Sequence, residues 1–592
     1  MARIVGAPKV ATGLSEAREA AGAIAKPQIA RVCNANSGRE NAMHFSLFLR
    51  SKKPPIKYKK IKKPDFQTII TSVTKEADLD ILNLFHVTWF TFFQAAGSTL
   101  VALIIGLPAA FFCGRRRFFG KRVLLSLSAV PFCVPSLIIA LGYVTFLGMN
   151  GGLNKFLMAV FGLQKPPVQI LYSFAGLLIA QGFYNFPLVM KNVSQAWEQL
   201  PSEQTESARL LGANEFRIFR TVTIHQLIPS IASSSLLVFI YCFLSFVLVL
   251  LFGGIGNSTL EVEIYKAARA TLDFKTAGIL AFFETAFLCI ITVLYCLVEQ
   301  KNTKSKGIKS KNINIQIKLA GAEYKILEIC IFIMIMVLIV IFFLAPLGGI
   351  VYNAFTSPKT GGKFTLSSFN RIIKMKSFLP SIITTIKTAF FTGSFCAFFG
   401  FLYAVFMRFM EGKTKKRTAI FLQVLPILPM CISSVVVGVI ITIIVRDGNI
   451  FWLIAAQTFL SWPLAFKVIF PQLQKISNST IDAAKLISKN NIQIVWRIFF
   501  PICKSSILSA FGFCFAISAG DTTLPLVLAI PKFNTLSLFT YRLAGAYRFN
   551  EACAAGVLLA ILCVGFFLLT GNNAKQSDLF KPYGRNLYNI EK

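Results

Sequence analysis

Residues 180–191 read AQGFYNFPLVMK, and residues 456–467 read AQTFLSWPLAFK. Six of these twelve positions are identical at an offset of 276, and the identities include a glutamine and a proline. The same offset later aligns the triplets at 206–208 and 482–484. Two unrelated membrane segments share Leu and Phe through composition, but they do not share polar residues at one constant spacing. The stretch therefore predicts a tandem duplication.

One insertion distinguishes the two copies. Upstream of the quoted stretch, Pro131 and Pro135 align with Pro426 and Pro429 at an offset of about 294. The first copy therefore carries about 18 extra residues, which we place between positions 150 and 167. Copies that run in the same direction are related by an axis along the membrane normal, so we expect a pathway between them.

The composition predicts that a bilayer is the solvent of this chain. Its 592 residues are 55% hydrophobic and include 59 phenylalanines, with a mean hydropathy of +0.65, which exceeds what a soluble core requires. Eleven stretches approach or reach the ~20 residues that a spanning helix needs. The stretches are 84–113, 123–148, 168–190, 231–255, 276–298, 329–352, 388–407, 419–445, 449–466, 507–531 and 552–571. We predict an all-α polytopic membrane protein with about 11 transmembrane helices.

The charge pattern indicates the orientation of the chain. Lys and Arg number 61 against 25 Asp and Glu, an excess that nucleic-acid-binding proteins also show. Here the basic residues stand in short runs between apolar stretches, at 115–117, 121–122, 301–311 and 413–417. Cytoplasmic loops of membrane proteins carry such runs. We therefore expect a multi-pass protein of the cytoplasmic (inner) membrane, with no nucleic-acid partner.

Catalytic and metal-binding patterns are weak. Thirteen cysteines lie scattered without a Cys-x-x-Cys pair, and there are only three histidines, so we predict no metal site and no disulfide framework. The nearest phosphate-loop pattern, Gly114 to Lys121, has five residues between its glycines instead of four and follows an apolar stretch rather than a strand. We expect no catalytic residue.

Two polar stretches at the repeat offset carry the most specific motif. Residues 206–222 read ESARLLGANEFRIFRTV, and residues 482–501 read DAAKLISKNNIQIVWRIFFP. Each begins with an acidic and two small residues, followed after three positions by Gly or Ser. Small residues let a short helix lie close to a partner, and a glycine ends such a helix. An ordinary solvated helix is the alternative, but the recurrence at one offset argues against it.

These stretches resemble the Glu-Ala-Ala loop of permease subunits in ATP-binding-cassette importers, and the resemblance covers roughly residues 84–571. The family pattern has Gly at the seventh position and ends in Leu-Pro. This chain departs from it at Ser488, Phe500 and Ile224-His225. The resemblance implies two tandem type I permease cores in one polypeptide, each presenting a coupling loop to an ATPase subunit.

The resemblance also implies site residues and partners. The implied coupling residues are Glu206, Ser207, Ala208, Gly212, Asp482, Ala483, Ala484, Ser488 and Pro501. The implied partners are two copies of an ATP-binding-cassette ATPase subunit, a substrate-binding protein and the lipid bilayer. ATP is then bound by the partner subunits, so the chain itself is expected to be no enzyme and to hold no cofactor.

Two subfamilies of fused permeases compete for the substrate, the thiamine type and the ferric-iron type. The stretches Asn150 to Asn154, Gly253-Gly254 and Thr259 to Tyr265 are similar to the thiamine type, as is Gly520-Asp521 with the residues that follow it in the second copy. The resemblance therefore implies thiamine as the solute, with ferric iron as the alternative. Specificity in such importers rests mainly on the external binding protein.

Six residues are candidates for the pathway or its outer gate: Asp521, Glu284, Thr259, Tyr265, Thr535 and Tyr541. A carboxylate in a spanning segment is costly unless it lines water or meets a partner, and a thiamine cation could use Asp521. Solvation at a helix end, or pairing with Arg542 or Arg548, is the alternative for Asp521. For Glu284 the alternative is an interhelical hydrogen bond, and for the Thr and Tyr residues it is anchoring at the membrane interface.

We divide the chain into five parts: a basic N-terminal tail (1–82), a first permease repeat (83–298), a cytoplasmic basic linker (299–324), a second repeat (325–571) and a cytoplasmic tail (572–592). Residues 1–42 differ in composition from the rest, and Met43 is a candidate native start. Cytoplasmic coupling loops place the N-terminus outside, which conflicts with the basic residues at 50–63. Either this region is a truncated or misjoined remnant, or the segment 64–83 provides another crossing.

Two rival functions remain at the level of sequence. A secondary transporter needs ionisable residues within its spans to couple ions, and this chain has few. A membrane-embedded enzyme needs a cluster of His, Asp or Glu at one membrane face, whereas His44, His86 and His225 are scattered. Purification with an ATPase subunit separates the importer from both rivals.

Overall fold

The structure, a computed structural model, describes most of the chain. The described residues are 66–127, 134–200, 202–253, 258–305, 317–318, 325–356, 363–410, 422, 425–445, 448–488, 490–531 and 533–571. Most of the predicted N-terminal tail, most of the linker and the C-terminal tail lie outside them, as do Met43, Pro131 and Gly254. The predicted boundaries of the five parts therefore stay predictions.

The chain divides into a short unit, Met1–Ala77, and a long unit, Asp78–Lys592, which carries both repeats. The helices of the first repeat are α1 (Phe66–Arg115), α2 (Lys121–Ser126), α3 (Ser136–Leu147), α4 (Gly152–Phe161), α5 (Phe174–Glu198), α6 (Ser202–Leu210), α7 (Glu215–Ile218), α8 (Ile224–Phe243), α9 (Phe246–Phe252), α10 (Leu260–Arg269) and α11 (Phe274–Ser305). A π-helical turn, Phe219–Thr223, joins α7 to α8.

The second repeat follows a similar order, with three helices added at its start and no described counterpart of α2 or α4. Its helices are α12 (Lys325–Ile339), α13 (Ala345–Ala354), α14 (Ser367–Ile373), α15 (Phe378–Met410), α16 (Ser434–Ile444), α17 (Ile450–Leu473), α18 (Asn478–Ile487), α19 (Asn491–Ile494), α20 (Phe500–Gly520), α21 (Thr523–Leu528), α22 (Leu536–Gly545) and α23 (Phe549–Gly571). The π-helical turns Val340–Leu344 and Val495–Phe499 and the 3₁₀ helix Leu425–Cys431 complete it.

The prediction of an all-α polytopic membrane protein is confirmed. Within the described ranges, extended structure is limited to the two-residue parallel strands β1 (Arg116–Arg117) and β2 (Ile317–Lys318) and one isolated bridge. Nine segments of these ranges are long and apolar enough to cross a membrane. They are Leu84–Arg115, Ser136–Phe161, Phe216–Phe243, Phe274–Glu299, Glu328–Ala354, Phe378–Met410, Ile450–Leu473, Asn491–Gly520 and Phe549–Thr570.

The predicted count of about 11 spans is not confirmed. The predicted span 168–190 corresponds to α5, which has 25 residues but carries polar side chains that lower its hydropathy. The predicted span 419–445 is described only as a 3₁₀ helix and the short helix α16. Pro429 lies inside that 3₁₀ helix, and proline removes a backbone donor and disfavours a continuous α-helix.

Two glycines let the long helices of each repeat pack closely. A Cβ at Gly106 on α1 would lie 2.8 Å from Val189 Cβ on α5. A Cβ at Gly400 on α15 would lie 2.9 Å from Ala465 Cβ and 2.8 Å from the Phe466 backbone N on α17. Small residues allow such close approach of helices in membranes. The repeat offsets relate Gly106 to Gly400 and Val189 to Ala465, so the duplication extends to helix packing.

The added helix α12 and the π turn after it pack against the first repeat. Glu328 forms a two-point ion pair with Arg116, at 2.6 and 2.8 Å. The Tyr143 hydroxyl donates to the Phe342 carbonyl over 2.6 Å, and the rings of Phe183 and Phe342 stack with centroids 4.9 Å apart. These contacts hold the start of the second repeat on the first.

We expect Gly400→Leu to destabilise the protein because the new side chain would overlap the α17 backbone. Overpacking of this kind costs about 1–3 kcal/mol, which a lower midpoint of thermal unfolding in detergent would reveal. The matched control is Gly565→Leu on α23, where a Cβ meets nothing within 4 Å. Equal midpoints for the two variants would contradict the close packing.

Candidate functional site

The first coupling segment (residues 202–223) consists of α6, α7 and the π turn. Gly212 ends α6 with a φ of +79°, in the left-handed region that glycine adopts most readily. The Gly212 N–H donates to the Arg209 carbonyl over 2.9 Å, and the Ala213 N–H donates to the Ala208 carbonyl over 3.1 Å. Nothing surrounds the position of a Gly212 Cβ. The glycine is therefore required by the backbone and not by crowding.

The second coupling segment (residues 477–499) ends its helix differently. Ser477 caps α18, its hydroxyl accepting from the Thr480 N–H over 3.2 Å. Ser488 ends α18 with φ −93° and ψ 135°, an extended conformation open to any residue. The departure from the glycine of the family pattern therefore has a structural reason, because this helix does not end in a left-handed residue.

Both coupling segments expose large apolar side chains at equivalent positions. Leu210 and Leu211 are 90% and 88% exposed, and their counterparts Leu486 and Ile487 are 91% and 86% exposed. None of the four lies in an apolar spanning segment. Apolar clusters exposed to water mark surfaces that a partner covers.

The predicted coupling residues lie on this surface with different degrees of burial. Glu206, Ser207 and Gly212 are exposed, as are Asp482, Ala483 and Pro501, whereas Ala208 is partly buried, Ala484 is buried and Ser488 is partly buried. Asp482 forms an ion pair with Lys485 at 2.7 Å. Their coupling role stays a prediction.

A buried arginine anchors the second coupling segment to the membrane helices. Arg408, near the end of α15, donates to the Ile476 carbonyl and to the Asn478 side-chain oxygen, each over 2.7 Å. The start of α18 is thus tied to the same helix that packs on α17 through Gly400. A displacement of α18 would therefore be transmitted to the membrane helices.

Both repeats contain an equivalent hydrogen bond between a threonine hydroxyl of a long helix and the first backbone N–H of a short helix. The Leu260 N–H, at the start of α10, donates to the Thr91 hydroxyl over 3.0 Å. The Leu536 N–H, at the start of α22, donates to the Thr385 hydroxyl over 2.7 Å. Each bond satisfies a backbone donor that the helix itself leaves unpaired. The short helices α10 and α22 are thereby fixed against α1 and α15.

A second repeated contact uses the glutamines of the quoted sequence stretch. The Ser98 hydroxyl donates to the side-chain oxygen of Gln181 over 2.9 Å, and the Thr392 hydroxyl donates to the side-chain oxygen of Gln457 over 3.2 Å. In the second repeat the Ser518 hydroxyl also donates to Gln457, over 2.6 Å. Both glutamines are buried. They form hydrogen bonds between helices. In the sequence, these glutamines could be recognised because they align at the repeat offset of 276.

Asp521, the carboxylate singled out from sequence, caps a helix. It accepts from the Gln457 side-chain amide over 3.0 Å and from the Thr523 and Leu524 N–H groups over 2.9 and 3.3 Å. Arg548, one of the proposed partners, instead contacts Glu551 at 3.4 Å. Within the described ranges, the interactions of Asp521 thus serve the start of α21.

The four predicted gate residues lie on or next to α10 and α22. The Thr535 hydroxyl accepts from the Leu538 N–H over 3.2 Å and caps α22, whereas Thr259 makes no such bond at the start of α10. Tyr265 and Tyr541, equivalent under the repeat, lie near each other. Burial, followed by the neighbouring Tyr265 hydroxyl, raises the pKa of Tyr541 to about 12. Both hydroxyl groups are therefore neutral at physiological pH.

Glu284, the last of the predicted pathway residues, is fully buried on α11. It lies close enough to Glu261 on α10 for the two carboxylates to repel each other electrostatically. Glu261 was missed as a site residue at the level of sequence. In the sequence, Glu261 could have been recognised because it lies two positions after Thr259, which aligns with Thr535 at the repeat offset, in a segment that packs inside the protein.

Comparison with known proteins identifies a family in the first repeat. Residues 106–302 match the family described as "Binding-protein-dependent transport system inner membrane component". This range contains the first coupling segment and both buried glutamates.

Several curated proteins resemble the chain over most of its length. The thiamine transport system permease protein of Escherichia coli (strain K12) is 24% identical over 83% of this chain and 90% of its own length. That of Haemophilus influenzae (strain ATCC 51907 / DSM 11121 / KW20 / Rd) is 24% identical over 84% and 90%. The ferric transport system permease protein of Actinobacillus pleuropneumoniae is 25% identical over 80% of this chain and 68% of its own length.

One solved structure is also similar. It is a bacterial ABC transporter involved in the import of the acidic polysaccharide alginate, with 18% identity and a TM-score of 0.32. The match covers 42% of this chain and 94% of that chain.

We expect Thr385→Val to destabilise the protein, because it leaves the Leu536 N–H buried without a partner. An unsatisfied buried donor costs about 1–3 kcal/mol, measurable as a lower midpoint of thermal unfolding. The matched control is Ser394→Ala on the same helix, where the exposed hydroxyl bonds only to the Phe390 carbonyl. If Thr385→Val were no less stable than Ser394→Ala, the repeated bond would not support the fold.

Proposed function

We propose that the chain, a multi-pass inner-membrane permease of the binding-protein-dependent importer type, forms the translocation pathway for thiamine. The main support for an importer driven by ATPase subunits is the pair of exposed apolar clusters at equivalent positions of the two coupling segments. The chain supplies the pathway, and a binding protein delivers the solute to its outer face.

The identity of the solute rests on the relatives. The proteins named for thiamine transport align over about nine tenths of their own length, at 88–90%. The relative named for ferric transport aligns over 68% of its length. A permease that matches about nine tenths of the length of the thiamine proteins is expected to share their solute. Ferric iron is the second candidate because that relative is as similar in sequence.

We assign ATP binding and hydrolysis to separate ATPase subunits, two copies of which engage the chain. One copy would sit on Leu210 and Leu211, and the other on Leu486 and Ile487. Burying one leucine or isoleucine side chain contributes about 1.5–3 kcal/mol, so the two such residues at each contact would contribute to docking. Closure of the two ATPase subunits would move both coupling segments together.

The two contacts are expected to transmit movement by different routes. In the second repeat Arg408 ties the start of α18 to α15 through two hydrogen bonds of 2.7 Å. In the first repeat Lys121 pairs with Glu198 at 3.0 Å, just before α6. The Arg408 bonds join the second coupling segment to α15, so a shift of that segment would tilt α15. The Lys121–Glu198 pair instead joins α2 to the end of α5, ahead of the first coupling segment.

We expect Leu211→Asp combined with Ile487→Asp to abolish ATP-driven uptake, because a charge cannot be buried against the ATPase without a partner. The ATPase subunit should also be lost on co-purification of this variant, while the chain still inserts. Phe119→Asp is the matched control, since Phe119 is a fully exposed apolar residue outside both coupling segments. Equal losses in the control would argue against a specific docking surface.

Uptake of labelled thiamine into vesicles tests the solute. Vesicles holding this chain with its ATPase and binding protein should accumulate thiamine with ATP and not without it. Accumulation of ferric iron alone would replace the solute and keep the mechanism. ATP-independent uptake would overturn the importer assignment.

A further inference from the structure

Two buried carboxylates lie between the repeats without a hydrogen bond. Glu261 on α10 is 1% exposed and Glu284 on α11 is 0% exposed. None of their four carboxylate oxygens has a hydrogen-bond partner among the described residues. The Ser433 hydroxyl at the start of α16 interacts with Glu261 but lies outside ordinary hydrogen-bonding geometry.

Cationic side chains on the neighbouring helices are directed elsewhere. Arg269 donates to the Val527 carbonyl over 2.6 Å and to the Thr442 hydroxyl over 3.3 Å. Lys266 pairs with Glu263 at 2.8 Å, and Lys275 at the start of α11 is exposed. Within the described parts of these helices, the two glutamates have no counter-ion.

Such a pair is costly in a membrane and so calls for an explanation. An ionised carboxylate without a partner is strongly disfavoured in an apolar interior, and burial raises the pKa of Glu261. Ionisation of either carboxyl group is therefore disfavoured while the closed helices exclude water. When water enters between the helices, at least one carboxylate ionises, and two neighbouring carboxylates then share a proton and carry about one negative charge.

The location of the pair connects it with the pathway. Helix α16 belongs to the second repeat, yet Val435, Val436 and Val439 on it are part of the same apolar core as α10 and α11. Glu261 and Glu284 therefore face the seam where the two repeats meet. Separation of the repeats would expose them to the space through which a solute passes.

The second repeat lacks these carboxylates. The repeat offset relates Glu261 to Ser537, whose hydroxyl donates to the Asp521 carbonyl over 2.7 Å, and it relates Glu284 to Ala560. The fold therefore forms at the equivalent positions of α22 and α23 without these two glutamates. A further oxygen atom near the pair is free within the described part of the first repeat. The buried Thr259 hydroxyl has no hydrogen-bond partner among the described residues, whereas the Thr535 hydroxyl accepts from the Leu538 N–H.

We propose that Glu261 and Glu284 form a binding site for an organic monocation on the pathway between the two repeats. The proposal deepens the proposed function and rests on it, since thiamine carries a permanently charged ring. Asp521 is a poorer candidate for this role because three hydrogen bonds already engage it. As the repeats separate, one of the two carboxyl groups releases its proton to water, and the bound monocation balances the single negative charge that results.

The test compares glutamine variants in the complete transporter, reconstituted with ATPase and binding protein. Glu261→Gln combined with Glu284→Gln should lower the kcat for labelled thiamine uptake at least tenfold. The thermal midpoint should stay equal or rise, because glutamine removes two buried ionisable groups. Glu263→Gln is the matched control, on the same helix but paired with Lys266 at the surface, and it should retain uptake within twofold.

A conservative variant separates charge from packing. Glu261→Asp combined with Glu284→Asp keeps two carboxylates and should retain more uptake than the double glutamine variant. Basal ATP hydrolysis of each complex verifies that it assembles. If the double glutamine variant transports like the wild type, or if the aspartate variant is equally inactive, the cation site is wrong.

The outcome also distinguishes this inference from the proposed solute. A wild-type complex that takes up no thiamine contradicts the proposed function, whatever the variants do. A wild-type complex that takes up thiamine, with variants that do so equally well, contradicts only the cation site.

Discussion

The Leu260 N–H donates to the Thr91 hydroxyl, and the Leu536 N–H donates to the Thr385 hydroxyl. Inside a bilayer no water replaces such a partner, so a buried N–H must be satisfied by the protein. These two bonds fix the first turns of α10 and α22 against long spanning helices. The buried glutamate on α10 and the tyrosines of α10 and α22 lie within two turns of those bonds, and their positions depend on them.

The duplication persists where the backbone requires it and diverges where side chains meet the other repeat. Gln181 and Gln457 both remain, because each accepts from a hydroxyl on a neighbouring helix. Glu261 and Ser537 have diverged: the Ser537 hydroxyl donates to the Asp521 carbonyl, whereas the Glu261 carboxylate has no hydrogen-bond partner among the described residues. Divergence at such positions leaves the first repeat with a buried glutamate pair that the second repeat lacks.

At the cytoplasmic end the repeats meet the same need with different backbones. Gly212 turns the chain with a positive φ, whereas Ser488 leaves its helix in an extended conformation. Both exits nevertheless place two large apolar side chains in water at equivalent positions. Retention of this exposed apolar surface in both repeats, despite different helix ends, agrees with the proposed docking of a partner at each segment.

The sequence by itself determined the solvent, the duplication and the family resemblance, since apolar length, a constant offset and a spaced motif are properties of the linear chain. It also located the coupling segments. Only the tertiary structure decided which carboxylates are engaged, because hydrogen bonding depends on residues far apart in sequence. Asp521 proved to cap a helix through Gln457 and two backbone N–H groups. The pairing of Glu261 with Glu284 arises from the packing of α10 on α11, and the number of spans depends on where proline and polar residues interrupt a helix, which apolar length alone does not reveal.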